Sequence, residues 1–179
     1  MPSDVPSPWS EFLAELDALL DEVIRLDCIG GFAVVMGYGL ARATNDLDYR
    51  TLHPFNRVQD LQRLAGPQSA LARKYGVYTQ YTAVDSMPEN YEDRLTELFP
   101  DRFAKLRLFI PDPYDLILSK LCRNIERDRE DVKFLVTTRL LDADVLRERY
   151  KELVANLIGP QKRHDATLEF WVEAYFPEP

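Results

Sequence analysis

Two cysteines, two histidines and seven glycines in 179 residues leave little room for several familiar chemistries. Cys28 and Cys122 lie inside apolar runs, too few for a disulfide scaffold, and read as buried thiols of a reducing compartment. No Cys–His spacing suits zinc. Neither a Gly-x-Ser-x-Gly elbow nor a Gly-x-x-x-x-Gly-Lys-Ser/Thr loop occurs, which excludes two common routes to a nucleophile or a phosphate cradle. No apolar run approaches the ~18 residues of a membrane span. Met1-Pro2-Ser3-Asp4 offers neither the basic nor the apolar region of a secretory leader. The expectation is a cytoplasmic protein with no membrane partner. A basic excess is also missing. Lys and Arg total 22 against 30 Asp and Glu, a formal charge of −8. That excludes a globally basic nucleic-acid coat protein, though not a local basic patch.

What the chain does have is core-forming material. Hydrophobic residues make up 46% and aromatics 11%, enough for one domain with a buried interior. Trp9, Phe12, Leu13, Leu16, Leu19, Leu20, Val23 and Ile24 recur at helical spacing after Ser7-Pro8, which predicts a first helix of four to five turns. Strands are expected over 26–29, 47–52, 77–84 and 105–110. Helices are expected near 32–38, 54–64, 69–75 and 90–98. From Pro111 onward the pattern is helical: an unbroken helix with a Tyr114, Ile117, Leu118, Leu121, Cys122, Ile125 stripe, then segments near 131–140, 142–157 and 163–175. The fold class is α/β (α+β): a small mixed sheet flanked by helices, with a helical C-terminal third. Residues 1–110 form the core with its N-terminal helix, and 111–179 a helical region packed on it as one structural unit.

Two constellations could carry chemistry. The first is Gly30-Gly31 after a strand and before a helix, followed by Arg42-Ala43-Thr44-Asn45-Asp46-Leu47-Asp48. Adjacent glycines allow close backbone approach, and the N–H groups of a helix start suit phosphate. Asp46 and Asp48 are i, i+2 on a strand, so they share a face, roughly 7 Å apart along the backbone. Two carboxylates so placed can share divalent ions such as Mg²⁺. Alone, Gly-Gly reads as a turn and Asp-x-Asp as a surface pair. The second constellation follows Pro113-Tyr114-Asp115-Leu116. On an unbroken helix Lys120, Arg123, Asn124, Arg127 and Asp131 occupy one arc opposite the apolar stripe. By itself this is a solvated face with i, i+4 pairs.

Together, Gly30-Gly31 and Arg-x-Thr-x-Asp-x-Asp resemble the signature of the nucleotidyltransferase superfamily. The likeness is to its minimal bacterial type, related to abortive-infection (AbiEii-type) toxins, and covers roughly residues 26–136. The order of Lys120, Arg127-Asp128 and Asp131 resembles that group's C-terminal motif. The resemblance implies that Gly30 and Gly31 hold a nucleoside triphosphate and that Asp46 and Asp48 hold catalytic Mg²⁺ or Mn²⁺. It implies that Lys120 contacts a phosphate and Asp131 helps organise the site, with Arg123 and Arg127 as further nucleotide contacts. Arg42 and Thr44 order the turn before Asp46, and Arg42 is also a candidate phosphate contact. Asp85, after the 77–84 strand, is the candidate third carboxylate, in a segment that equally reads as a turn. An RNA acceptor, first a transfer-RNA 3′ end, is implied, with a protein hydroxyl next. So is a toxin role with a cognate antitoxin partner.

Competing readings remain. One is a degenerate transferase that binds nucleotide or RNA, or an antitoxin-like module. Another is a partner-binding module using Trp9/Phe12 or Trp171/Phe176. His53, before Pro54, reads as a turn residue and His164, in Lys162-Arg163-His164-Asp165, as exposed. Tyr75, Tyr78 and Tyr81 fit sheet packing better than base stacking. The charge is uneven. Residues 1–27 hold one arginine against seven acids, whereas 102–139 hold nine basic residues against six acids. Much of the negative charge therefore lies outside the motifs.

Overall fold

Trp9, Phe12, Leu13 and Leu16 fall on one side of helix α1 (Trp9–Leu19) and are all buried. The helix stops at Leu20, short of the expected end. Ile24 belongs instead to strand β1 (Ile24–Cys28), in which buried Ile24, Leu26 and Cys28 alternate with Arg25 and Asp27. The computed structural model describes residues 5–82, 86–154, 157 and 159–176. They divide into two compact units, one of residues 1–83 with 95–111, the other of 84–94 with 112–179. Among the described residues no helix is long and apolar enough to cross a membrane.

The first unit is built on a five-stranded mixed sheet. After β1 come α2 (Gly30–Phe32), which widens into a π-helical turn over Ala33–Gly37, and β2 (Asp46–His53). Next are α3 (Val58–Ala65), α4 (Ala70–Tyr75), β3 (Tyr78–Tyr81), β4 (Thr96–Leu98) and β5 (Leu106–Ile110). The spatial order is β3-β2-β1-β5-β4. β1 runs antiparallel to β2 and parallel to β5; β2 is parallel to β3, and β4 antiparallel to β5. β4 lies where a helix was expected over 90–98; only Tyr91–Arg94 turn, as a single 3₁₀ piece. Such a short edge strand has too few residues for its alternation to be read.

One irregularity decides which side chains face where. Asp27 pairs with Thr51 but Cys28 with Tyr49, so Arg50 is an extra residue in β2. The bulge resets the parity of the strand. Leu47, Tyr49 and Leu52 consequently share the buried face with Leu26 and Leu108, and Asp46 and Asp48 share the other with Asp27. α1 is tied to β5 by Asp17, whose carboxylate accepts backbone N–H bonds from Lys105 (2.7 Å), Leu106 (2.7 Å) and Ala104 (3.1 Å). Gly37 closes the π turn against β5, where a Cβ would stand 2.0 Å from Ile110 Cδ1.

The second unit holds α5 (Pro113–Leu118), α6 (Glu126–Arg139), α7 (Ala143–Leu153) and α8 (Gln161–Tyr175). Asp112 caps α5 by accepting the Asp115 N–H at 2.8 Å, with Pro113 in the first turn. The expected unbroken helix through 113–131 does not form. α5 tightens into i→i−3 bonds at Lys120 and Leu121, Asn124 takes a positive φ of 45°, and α6 starts afresh. Asp128 accepts the Ile125 N–H at 3.2 Å at that new start. The apolar stripe survives as far as Leu121, whereas Ile125 is 46% exposed. His164 is buried, not exposed as expected. It begins the stripe His164, Thr167, Leu168, Trp171, Val172 that faces inward along α8, and helical phase outweighs its polar neighbours.

Candidate functional site

Asp46 and Asp48 stand at the start of β2, half-buried, on the face away from the core. The turn before them is fixed from two sides. The Trp9 indole donates to the Thr44 carbonyl at 3.1 Å, and Tyr78 N–H donates to the Asn45 carbonyl at 3.0 Å. Buried Thr44 donates its hydroxyl towards both the carbonyl and the carboxylate of Asp46, at 3.3 and 3.2 Å. The loop entering this turn is anchored by Tyr38, whose hydroxyl donates to the Pro111 carbonyl at 2.7 Å. Arg42, half-buried in that loop, turns its backbone N–H to the Leu40 carbonyl at 2.8 Å. Thr44→Val removes the hydroxyl that orients Asp46 and keeps the side-chain shape. It is expected to weaken divalent-metal binding about 10–100-fold, the usual effect of losing such a support, as read by Mn²⁺ titration. An unchanged titration excludes the orienting role.

Gly30 meets this pair directly. Ile29 N–H donates to the Asp48 carbonyl at 2.8 Å, which brings the end of β1 against Asp48. At Gly30, φ is +66°, and a Cβ there would lie 2.7 Å from Asp48 Oδ2. Both the conformation and the space demand glycine. Gly30→Ala is expected to push the Asp48 carboxylate aside and to strain the backbone by about 1–2 kcal/mol. A crystal structure of the variant with Asp48 unmoved would refute the first effect, and an unchanged melting temperature the second.

The sheet brings two further groups to this face that sequence reasoning missed. In the parallel β2–β3 ladder Asp46 is paired with Tyr78 and Asp48 with Gln80, and Gln80 is exposed. Asp27 on β1 is fully buried and held by Arg25 at 2.8 Å, while Arg25 lies over the Phe109 ring at 4.6 Å. Burial raises the Cys28 thiol well above its ordinary value, and the charges of Asp27 and Asp48 push it the same way. It is a protonated core residue. The alternation in Ile24-Arg25-Leu26-Asp27-Cys28 was the available sign of Asp27. Gln80 had none, because its place depends on strand register.

The donor set is of hard oxygens, which suits Mg²⁺ or Mn²⁺ and not softer ions. Glycine at position 30 also lets backbone stand close to the Asp48 carboxylate, where a Cβ would crowd it. Among the described residues no three His, Cys, Asp or Glu side chains converge as a metal-holding group. The candidate third carboxylate, Asp85, lies outside the described residues.

The remaining candidates belong to the second unit. Lys120 is 3% exposed and donates to Asp131 at 2.8 Å, with Asp128 at 3.7 Å. Arg123 grips Asp128 through two bonds of 2.8 and 2.6 Å. Arg127 is exposed on the first turn of α6. With the helix broken at Asn124, Lys120 and Asp131 point inward and do not share a solvated arc with Arg123 and Arg127. Tyr75 and Tyr81 pack: Tyr75 edge-on to Phe12 at 6.2 Å and Tyr81 tilted against Tyr49 at 5.6 Å. His53 is the exposed last residue of β2. Neither cysteine is in a disulfide; Cys28 is buried and Cys122 half-buried, its Sγ 2.9 Å from the Ser86 hydroxyl.

Residues 10–175 match the family described as nucleotidyltransferase of unknown function (DUF6036). The chain belongs to that family. No curated protein and no solved structure matches it. The match takes in both units, so the helices after Pro111 are part of what defines these nucleotidyltransferases.

Proposed function

We propose that this nucleotidyltransferase moves a nucleoside monophosphate from a nucleoside triphosphate to an acceptor hydroxyl, with Asp46 and Asp48 at its centre. The observation that carries the reading is the approach of Gly30 to the Asp48 carboxylate. It puts the backbone of a helix start beside Asp48, which shares its sheet face with Asp46, the pairing that triphosphate and divalent metal both require. Bound Mg²⁺ or Mn²⁺ would lower the pKa of the acceptor hydroxyl and offset charge on the departing pyrophosphate. Asp46 and Asp48 hold that charge in place, and Thr44 fixes the Asp46 carboxylate. Gly30 and Gly31 receive phosphate oxygens on their N–H groups, and Arg42 supplies a cation in the loop between. Asp85 is the proposed third acid. In the second unit the buried Lys120–Asp131 pair ties the turn after α5 to α6. Arg123 and Arg127 are the proposed nucleotide contacts there.

RNA is the first acceptor to test, beginning with a transfer-RNA 3′ end, and a protein hydroxyl the second. A toxin role in the manner of AbiEii-type proteins, with a cognate antitoxin, fits the same chemistry. The test is a titration of ATP, CTP, GTP and UTP with Mg²⁺, followed by labelled-nucleotide transfer onto total RNA and protein. Transfer supports the enzyme. Nucleotide binding with no transfer to any acceptor favours the degenerate, nucleotide-binding reading, and absence of binding rejects both.

A further inference from the structure

Arg50 follows Asp46 and Asp48 by the period of two along β2 and is half-buried like them. The bulge gives β2 one residue more than β1 has there. Arg50 and Thr51 both fall between buried Tyr49 and buried Leu52, and so share the acid-bearing face. The ladder fixes where Arg50 stands relative to Gly30. Ile29 N–H bonds the Asp48 carbonyl, Cys28 pairs with Tyr49, and Asp27 pairs with Thr51. β1 and β2 run antiparallel, so Gly30 lies towards the Asp46 end of the acid pair and Arg50 lies beyond Asp48 on the opposite side. Further along, the same face carries Thr51 and exposed His53. Beside His53 on β1 is Arg25, whose charge is matched by Asp27.

We infer that Arg50 binds the last phosphodiester of a polynucleotide acceptor, so that the site takes a strand end and not a protein hydroxyl; the inference rests on the Asp46/Asp48 reading above. Transfer is in line. The acceptor oxygen bonds to the α-phosphorus on one side as the oxygen bridging to the β-phosphorus departs on the other with pyrophosphate, and the hydroxyl proton passes to water. With the triphosphate on the Gly30 and Gly31 N–H groups, pyrophosphate leaves towards that end of the face. The acceptor then approaches from the Arg50 side. A 3′ hydroxyl at a strand end brings a phosphodiester close behind it, whereas a serine or tyrosine hydroxyl brings none. The guanidinium of Arg50 suits that phosphate in charge and in the geometry of its fork. Thr51, His53 and Arg25 offer further donors along a strand backbone.

The probe is a short single-stranded RNA with fluorescein at one end and a free 3′ hydroxyl at the other. It is compared with the same RNA whose last phosphodiester is a neutral methylphosphonate. Binding to the full chain is read by fluorescence anisotropy in Mg²⁺, and labelled-nucleotide transfer is read on the same samples. The wild-type chain is expected to bind the methylphosphonate probe about tenfold more weakly. Arg50→Gln is expected to bind the unmodified RNA about tenfold more weakly and to lose nothing further with the methylphosphonate. Its slope of log affinity against log salt should be shallower by about 0.7, the share of one phosphate on a single strand. KM for the RNA should rise in step, while affinity for each of the four nucleoside triphosphates stays within about twofold of wild type. Arg50→Lys should recover part of the RNA affinity, because the charge is kept and the fork is lost. The inference is overturned if the wild-type chain binds both probes alike, a result that needs no variant to fold. It is overturned equally if Arg50→Gln weakens the triphosphate and not the RNA. Label passing to protein and not to RNA, at a rate that Arg50→Gln leaves unchanged, overturns it as well. If Asp48→Asn transfers at the wild-type rate, the Asp46/Asp48 reading itself falls.

Discussion

Asp48→Asn is expected to lower nucleotide transfer by about a thousandfold, equivalent to ~4 kcal/mol of transition-state stabilisation. The melting temperature should stay at or slightly above that of the wild type. The two halves of this expectation have different causes. Asparagine keeps the size and planarity of the side chain, so the contact with Gly30 is preserved. It removes the negative charge that would retain a divalent ion. It also removes repulsion from Asp46 on the same face, which is why stability should not fall. Asp46→Asn should act alike, except that Thr44 can still donate to the new amide oxygen and hold its orientation. Labelled product formation and a circular-dichroism melt, run on the same preparations, decide the matter. Transfer within tenfold of wild type would place the chemistry elsewhere. A variant that melts many degrees lower would mean that Asp48 is a structural carboxylate.

Much of this site was legible in the sequence because it is local. Gly30-Gly31 closes a strand, and Asp46 and Asp48 follow within one loop and one strand. Their shared face follows from the period of two in β2. What was hidden depends on relations between segments. The bulge at Arg50 leaves no mark in composition, yet it allows Leu52 and Tyr49 to face one core and Asp27 to join the acids on the other side. Ile24 fits the phase of α1 as well as that of β1, so helical spacing alone overstates the length of α1. Glu97 in β4 gains its sense only from Arg107 on β5, with which it forms a paired 2.6 Å contact. The break at Asn124 was invisible for a related reason. The apolar stripe continues across it in helical phase, and asparagine tolerates positive φ with little warning. Lys120 looked like a surface lysine because its buried partner lies eleven residues away, beyond that break.

Lys120→Ala is for that reason expected to act first on stability. Removing one partner of a buried ion pair costs about 3–5 kcal/mol. For a chain of this size that is a fall in melting temperature of about 10 °C. Asp131 would lose its 2.8 Å partner while 1% exposed; Asp128 would keep Arg123 and the Ile125 N–H. Asp128 sets the sign of the pH dependence. Burial pushes its carboxyl up, but Arg123 and the Lys120 charge outweigh burial and hold it below the ordinary value. A depressed carboxylate stabilises the fold above its unfolded pKa, near 4, and that contribution is lost as pH falls through the lower folded value. Without Lys120 the folded value rises, so acid unfolding should begin at higher pH than in the wild type. Melting curves from pH 7 down to pH 3 read both effects. Asp131→Asn added to Lys120→Ala should recover part of the loss, because the buried carboxylate charge that faced the ammonium is then gone. If Lys120→Ala melts within ~2 °C of the wild type and loses only triphosphate affinity, the ammonium serves the nucleotide and the pair with Asp131 contributes little to the fold.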